Sequence, residues 1–171
     1  MRILKKSITG SGEKSEKDGF SGFLSRCIAT GLFVGYVPAA QGTMGSLWGP
    51  AICLLIPESR LFMVWLLLPV LFLVGVWAST RAEEYWGHDP GRVVIDEVLG
   101  SLVTLAFVPL SVSAVWTGFF LFRFFDIFKP PPIRHFEKLP RGWWVMTDDL
   151  FAGIFANIVL RLLIIIFPGL F

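Results

Sequence analysis

Charged residues are scarce in this chain of 171 residues: Asp, Glu, Lys and Arg make up 16% of it, against about 25% in an average globular protein. Long stretches carry no charge at all, including Leu61–Thr80, Val98–Phe122 and Leu150–Leu160. Apolar runs of about 20 residues are candidates for membrane-spanning helices. The net charge of only +2 argues against nucleic-acid binding, which needs a strongly basic surface. The composition therefore predicts a membrane protein with no nucleic-acid partner.

Cysteine and histidine are also scarce, with two residues of each. Cys27 and Cys53 both lie in apolar segments, where free cysteines usually act as small buried hydrophobic residues. Neither a disulfide framework nor a metal-type cysteine spacing is present. His88 lies in a turn-rich loop and His135 in a basic one, and the presence of only two histidines argues against a reaction through phosphohistidine. Nothing in the chain indicates a protein partner.

The order of apolar and polar segments predicts one folded domain. Residues 1–21 are polar and mixed in charge, as in a flexible tail, and residues 22–171 form a single membrane-embedded helical domain. We expect an all-α, polytopic membrane protein: a bundle of about four to six helices with short or partial spans. Apart from the region around Val98–Phe122, the helices are expected near 23–37, 46–56, 60–86 and 147–167, with a loop at 39–46.

The uncharged run Val98–Phe122 could form one span or two. Pro109 favours a break, because proline interrupts a helix. A hairpin of helices at 93–108 and 112–128 would return Asp96 and Asp126 to the same side of the membrane, whereas a single span would separate them.

The hairpin also produces an asymmetric distribution of basic residues. Arg60 is then the one basic residue expected on one face. The positive-inside rule places the more basic face in the cytoplasm, so we expect a multi-pass membrane protein whose functional carboxylates face the cytoplasm. The basic residues on that face are Arg81, Arg92, Arg123, Lys129, Arg134, Lys138 and Arg141.

Five carboxylates lie directly beside the apolar runs, where charges are costly and usually functional. Clustered carboxylates suit Mg²⁺, which binds oxygen ligands together with substrate phosphate. For the pairs Asp96-Glu97 and Asp148-Asp149, capping of a helix N-terminus is the structural alternative. The predicted metal ligands are Asp96, Glu97, Asp126, Asp148 and Asp149, and those expected to act in catalysis are Asp96, Glu97, Asp126 and Asp149.

Basic residues are interleaved with these acids in the segment 122–134. Arg123, Asp126 and Lys129 recur every three residues and therefore share one helical face. The triple proline at 130–132 ends that helix. We expect Arg123, Lys129 and Arg134 to bind phosphate, the alternative being a solvated salt-bridge stripe at the helix end.

Two further patterns concern small and polar residues. Asp149, Gly153, Asn157 and Arg161 recur every fourth residue, a stripe that usually faces another helix or a cavity. The segment Gly42-Thr43-Met44-Gly45-Ser46 precedes a predicted helix, whose first N–H groups could bind phosphate oxygens. The hydroxyls of Thr43 and Ser46 would add donors.

Together these segments resemble the phosphatidylglycerophosphatase A family of bacterial membrane lipid phosphatases. Order and spacing agree with the family from about residue 22 to 168. The most specific matches are the arginine-to-proline block and the Asp-Asp-X-X-Ala-Gly block. The matching segments are residues 42–46 (GTMGS), 96–100 (DEVLG), 122–133 (FRFFDIFKPPPI) and 148–153 (DDLFAG).

The resemblance implies hydrolysis of phosphatidylglycerophosphate to phosphatidylglycerol and inorganic phosphate, with Mg²⁺ as cofactor and a membrane phospholipid as the binding partner. Either water activated by the metal or a carboxylate could attack the phosphorus. One departure is Trp143-Trp144, which stands where the family is glycine-rich. These tryptophans are expected to anchor a loop at the headgroup level.

Two other function classes fit the composition. A small membrane transporter or channel would also carry intramembrane acids, but these acids lie at the ends of the predicted spans rather than in their middle. Another lipid-phosphomonoester phosphatase is the second alternative. The Pro-Ser-Gly-His signature of histidine-type lipid phosphatases is absent from the sequence.

Overall fold

The structure, a computed structural model, describes residues 19–87, 90–131 and 139–171, except for the side chain of Glu58. Six α-helices of at least eight residues lie in these ranges, together with the shorter helix α2 and a 3₁₀ turn at Val34–Tyr36. The predicted all-α class is confirmed. In chain order the helices are α1 Phe20–Ala29, α2 Gln41–Ser46, α3 Trp48–Leu55, α4 Glu58–Trp86, α5 Ile95–Leu105, α6 Val112–Phe128 and α7 Gly142–Ile166.

Helix α5 forms the centre of the bundle, although it has only 11 residues. Eight of these are buried, and Leu99 is fully inaccessible. The helix contacts α2, α3, α4, α6 and α7. It approaches α7 most closely where glycines face each other: a Cβ on Gly153 would lie 2.5 Å from the carbonyl oxygen of Gly100. Small residues permit such close helix contacts in membrane proteins.

The predicted hairpin in Val98–Phe122 is confirmed. Helix α5 ends at Leu105 and α6 begins at Val112, so the chain reverses around Pro109. The hydroxyl of Ser111 accepts a hydrogen bond from the N–H of Ala114, at 3.0 Å, and caps α6. At about 1.5 Å per residue, α5 is far shorter than a bilayer core of roughly 30 Å. It therefore forms one arm of a hairpin with α6 and is too short to be a full-length span by itself.

The first predicted helix, 23–37, is wrong in its second half. Helix α1 ends at Ala29, and Gly31, Leu32 and Phe33 follow with φ of +55°, +59° and +71°. This left-handed backbone ends a helix. The hydroxyl of Thr30 stabilises the turn by donating to the carbonyl of Arg26 at 2.7 Å and accepting from the N–H of Phe33 at 3.1 Å.

The last helix begins five residues before its predicted start at 147. Gly142 allows this early start, because a Cβ there would lie 2.7 Å from the backbone nitrogen of Thr80 on α4. The N–H of Gly142 also donates to the hydroxyl of Thr80 at 3.3 Å. Asp148 and Asp149 consequently lie in the second turn of α7, and the suggestion that they cap its N-terminus is wrong.

Among the described residues, two helices are long and apolar enough to cross a membrane, at Ser59–Trp86 and Gly142–Ile166. They belong to α4 and α7. Large apolar side chains project from α4 away from the bundle: Phe62, Leu66 and Leu73 are 59–60% exposed. Apolar surface of this extent is typical of a membrane-facing helix. Most of the predicted polar tail 1–21 lies outside the described residues.

Candidate active site

Three carboxylates converge where α5 and α7 meet. Asp96 and Glu97 lie in the first turn of α5, and Asp149 faces them from α7. One oxygen from each residue can be chosen so that all three lie within 4.8 Å of one another. Asp96 Oδ1, Glu97 Oε2 and Asp149 Oδ2 are buried and accept no hydrogen bond from the described part of the chain. Such a group of buried oxygens needs a cation or protons to be stable.

This carboxylate triad has the donor chemistry that Mg²⁺ prefers. Opposite ligands of an octahedral Mg²⁺ are about 4.2 Å apart, because each lies about 2.0–2.1 Å from the ion. The three chosen oxygens of the triad lie no more than 4.8 Å apart, a limit close to this spacing. Asp96, Glu97 and Asp149 therefore fit a divalent cation.

Two cations from the end of α6 lie beside the triad. Arg123 Nη1 donates to Asp126 Oδ2 at 2.5 Å and to the Ser46 hydroxyl at 3.2 Å. Lys129, just past the end of α6, forms an ion pair with Asp148. Asp126 and Asp148, which the sequence suggested as metal ligands, thus direct one carboxylate oxygen each to a cation and lie beside the triad.

These groups share one cavity of about 350 Å³. Its polar wall contains the triad, both ion pairs and Gln41 from α2. Its apolar wall is formed by Val93, Ile127, Trp144 and Val145. The full lining is Gln41, Gly42, Pro90, Gly91, Val93, Asp96, Glu97, Arg123, Asp126, Ile127, Lys129, Trp144, Val145, Asp148 and Asp149.

Burial changes the titration of the cavity groups on α5 and next to α6. Burial, with Asp149 and Asp126 nearby, raises the pKa of Glu97 to about 7. Burial and the adjacent Glu97 raise the pKa of Asp96 well above its ordinary value. Burial lowers the pKa of Lys129, but its hydrogen bond with Asp148 and the surrounding carboxylates outweigh this effect and raise it overall. The cavity therefore favours bound positive charge.

The glycine-rich segment 42–46 is not a loop, as the sequence had suggested, but helix α2. Its glycines allow close packing against α5: a Cβ on Gly45 would lie 2.7 Å from Val94 Cβ. A Cβ on Gly42 would overlap the Glu97 carboxylate and lie 3.1 Å from Arg123 Nη1. We infer that the segment holds the acids and Arg123 in place through small side chains.

The two hydroxyls on this segment that were predicted to donate hydrogen bonds to phosphate have different surroundings. Ser46 is fully buried; its hydroxyl donates to the Gly42 carbonyl at 2.7 Å and accepts from Arg123, which makes it a support for the guanidinium. Thr43 is half-buried and lies outside the described cavity lining. Arg134 lies outside the described residues, as do His88 and His135.

The small-and-polar stripe on α7 faces α5, as the sequence predicted. The amide nitrogen of Asn157 donates to the carbonyls of Thr104 and Ala106 at 2.8 and 3.0 Å. Arg161 donates to the carbonyls of Ala106 and Phe107 at 3.1 and 2.7 Å. These bonds pair the backbone carbonyls at the C-terminal end of α5. Sequence spacing alone did not identify this role. They also place Arg161 beside the hairpin turn. The prediction that Arg60 is the one basic residue on that face is therefore wrong.

Trp144 is a cavity residue that the sequence analysis assigned elsewhere. It lies within α7 rather than in a loop, and it is only 9% exposed. Its neighbour Trp143 is 45% exposed. The predicted loop is therefore wrong for both residues, and Trp144 lies in the interior. Anchoring of Trp143 at the headgroup level stays a prediction. Consecutive helical residues point about 100° apart. A predicted helix start at 142 would therefore have placed the two tryptophans on different faces of the helix.

Comparison with known proteins identifies one family. A family model described as "Phosphatidylglycerophosphatase A" matches residues 27–164. Phosphatidylglycerophosphatase A of Haemophilus influenzae is 40% identical over 136 residues, covering 77% of this chain and 83% of its own. The protein of the same name from Escherichia coli is 32% identical over 136 residues, covering 75% of this chain and 77% of its own.

Another relative carries a different name. A protein of Bacteroides thetaiotaomicron, named as a candidate phosphatidylinositol-3-phosphatase, is 39% identical over 146 residues, covering 81% of this chain and 92% of its own. No solved structure shows significant similarity to the chain.

Proposed function

The chain belongs to the phosphatidylglycerophosphatase A family, and from this membership we propose that it hydrolyses phosphatidylglycerophosphate in the membrane, releasing phosphatidylglycerol and inorganic phosphate. The reaction breaks the bond between phosphorus and the glycerol oxygen of the headgroup. It is the hydrolysis of a phosphoric monoester, a step of phospholipid biosynthesis. The family match over residues 27–164 covers the first spanning candidate, all but the last two residues of the second, and every described cavity residue.

The observation that best supports this proposal is the pairing of opposite chemistries in one cavity. The triad of Asp96, Glu97 and Asp149 offers unpartnered oxygens, while Arg123 and Lys129 supply positive charge a short distance away. A phosphomonoester dianion needs cationic partners, and a carboxylate cluster needs a metal. A transporter would not require both in a cavity at the end of its spanning helices.

We assign the cofactor as Mg²⁺, held by Asp96, Glu97 and Asp149. When bound, this ion would neutralise phosphate charge and make a water molecule more acidic. Arg123 would bind phosphate oxygens through its planar guanidinium, which suits bidentate contacts. Asp126 and Ser46 hold that guanidinium at Nη1, and Asp148 holds the ammonium of Lys129. Arg134 completes the proposed set of phosphate-binding residues.

The proposed orientation places the cavity at the cytoplasmic face of the bacterial inner membrane. Arg123 and Lys129 line the cavity, and Arg141 lies at the start of α7, whose Trp144 and Asp148 do so as well. Arg60 and Arg161 lie towards the other ends of their spanning helices. Basic residues favour the cytoplasmic side. Two spanning candidates and the α5–α6 hairpin make this a multi-pass arrangement.

Purified protein in mixed micelles tests the proposed reaction. With Mg²⁺ present, it should release inorganic phosphate from phosphatidylglycerophosphate and form phosphatidylglycerol in equal amounts, which mass spectrometry of the lipid extract can measure. A protein that is monodisperse and helical by circular dichroism, yet releases no phosphate from this lipid, would contradict the proposal.

A further inference from the structure

Two adjacent tryptophans at the start of α7 have different environments. Trp143 is 45% exposed and packs edge-on against Phe72 of α4, with ring centroids 5.8 Å apart. Trp144 is 9% exposed and lines the cavity. Consecutive helical residues point about 100° apart, so one ring faces outwards and the other faces the proposed substrate.

The indole of Trp144 is held in a fixed position. Its Nε1 donates to Glu83 Oε1 on α4 at 3.3 Å. Two residues earlier, Gly142 fixes the start of α7 by packing against the backbone of α4 at Thr80. The ring therefore cannot move aside without breaking a part-buried hydrogen bond, which makes it a rigid wall.

This wall lies next to the proposed phosphate-binding groups. Asp148 follows Trp144 by four residues, so both face the cavity from the same side of α7, and Asp148 binds Lys129. Trp144 is also the largest apolar side chain of the described lining, the others being Pro90, Val93, Ile127 and Val145. Headgroup atoms attached to a phosphate at Lys129 would consequently pass beside the indole.

We propose that Trp144 determines which headgroup the cavity accepts, favouring a slender glycerol over a polyhydroxylated ring such as inositol. The inference rests on the proposed lipid phosphatase function. Hydroxyls of a ring pressed against a fixed apolar wall lose their hydrogen bonds with water and gain none, which disfavours binding. A three-carbon glycerol can keep its hydroxyl towards the polar wall. Discrimination by shape at an apolar wall reaches about 10- to 100-fold.

The test compares Trp144→Ala with the matched control Trp143→Ala. Each protein is assayed with Mg²⁺ on phosphatidylglycerophosphate, phosphatidylinositol 3-phosphate and phosphatidic acid, which has no headgroup beyond its phosphate. Trp144→Ala should lower the kcat/KM ratio of the glycerol lipid to the inositol lipid by about 10- to 100-fold, mainly through a gain on the inositol lipid. Turnover of phosphatidic acid serves as the reference for each protein, and Trp143→Ala should keep the wild-type ratio.

The possible outcomes separate this inference from the proposed function. An unchanged ratio in an active Trp144→Ala protein would overturn the inference, and so would a wild type that cleaves both headgroup lipids equally well. If the alanine variant does not fold, Trp144→Phe replaces it in the test, because this variant retains a ring but loses the bond to Glu83. Equal losses of activity on all three lipids would show that Trp144 acts only in packing, and would overturn the inference. A folded wild type without activity on any of the lipids would refute the proposed function itself.

Discussion

At the scale of single residues, the five carboxylates of the cavity form two groups according to their contacts. Asp96, Glu97 and Asp149 direct oxygens towards one another, whereas Asp126 and Asp148 bind Arg123 and Lys129. The sequence identified all five, because charges beside apolar runs are conspicuous. It could not identify the pairing, since pairing depends on how α5, α6 and α7 meet. This division is the basis for the proposal that the first group binds the metal and the second supports the cations.

Asp149→Asn should lower kcat by at least about 10²–10³, the usual effect of removing one strong electrostatic contact. The substitution keeps the size of the side chain but removes one of the three charges of the triad. Asp126→Asn should lose a similar factor because Arg123 loses its ion-pair partner. Steady-state phosphate release in detergent measures both effects.

Glu84→Gln is the matched control for these variants. Glu84 pairs with Arg141 at 3.4 Å in a partly exposed position outside the described cavity lining, so its substitution should leave kcat unchanged. Near-normal turnover in Asp149→Asn would show that this buried acid has no part in the reaction.

Lys129→Ala should raise KM as well as lower kcat, because the proposed contact of the ammonium with the phosphate exists in both the ground state and the transition state. The substitution also leaves Asp148, which is 3% exposed in its side chain, without its cationic partner. Lys129→Arg keeps the charge and should retain a lower KM than Lys129→Ala. An unchanged KM for Lys129→Ala, measured over a full range of lipid mole fractions, would exclude phosphate binding at this position.

At the scale of elements, the hairpin and the glycine contacts bring the carboxylates together. Pro109 indicated the reversal between α5 and α6 because proline interrupts helices wherever it occurs. The left-handed turn at Gly31–Phe33 was missed, since Leu32 and Phe33 adopt positive φ against their local preference. Helix α2 was missed because glycines normally weaken helices, whereas here they allow contact with α5.

Gly153→Ala tests the crossing of α5 and α7. The added methyl group would lie 2.5 Å from the carbonyl oxygen of Gly100, so the two helices must separate. Overpacking of this kind costs about 1–3 kcal/mol and would move Asp149 away from Asp96 and Glu97. We expect a lower thermal unfolding midpoint in detergent and a higher Mg²⁺ concentration for half-maximal activity.

Gly169→Ala provides the comparison for that variant. Position 169 follows the end of α7, and a Cβ there meets nothing within 4 Å. It should behave as the wild type in both measurements. A Gly153→Ala protein with an unaltered midpoint and unaltered Mg²⁺ dependence would refute the role of the glycine contact.

At the scale of the whole molecule, the described residues combine two long apolar helices, α4 and α7, with shorter ones. Low charge content predicted the membrane setting directly, because uncharged runs of this length are rare in other proteins. The interior position of Trp144 could not be predicted in the same way. It depends on where α7 begins, and that start is set by the contact of Gly142 with α4.

The proposed topology predicts opposite accessibility for the two ends of the bundle. In a background with Cys27 and Cys53 replaced by serine, single cysteines at Val112 and Arg141 should be labelled from opposite sides by a membrane-impermeant maleimide in oriented vesicles. Val112 is 65% exposed at the hairpin turn, and Arg141 precedes α7 near the cavity. Labelling of both positions from the same side would contradict a cytoplasmic cavity beneath an inserted hairpin.

The most direct test of the central claim is the metal dependence of phosphate release. Phosphatidylglycerophosphate in mixed micelles is offered to purified protein first in excess EDTA and then after titration with Mg²⁺. Because Asp96, Glu97 and Asp149 would repel one another without a cation, activity should vanish in EDTA and return with Mg²⁺ in the wild type, and return only weakly in Asp149→Asn. Full activity of the wild type in EDTA would contradict a metal-dependent carboxylate triad.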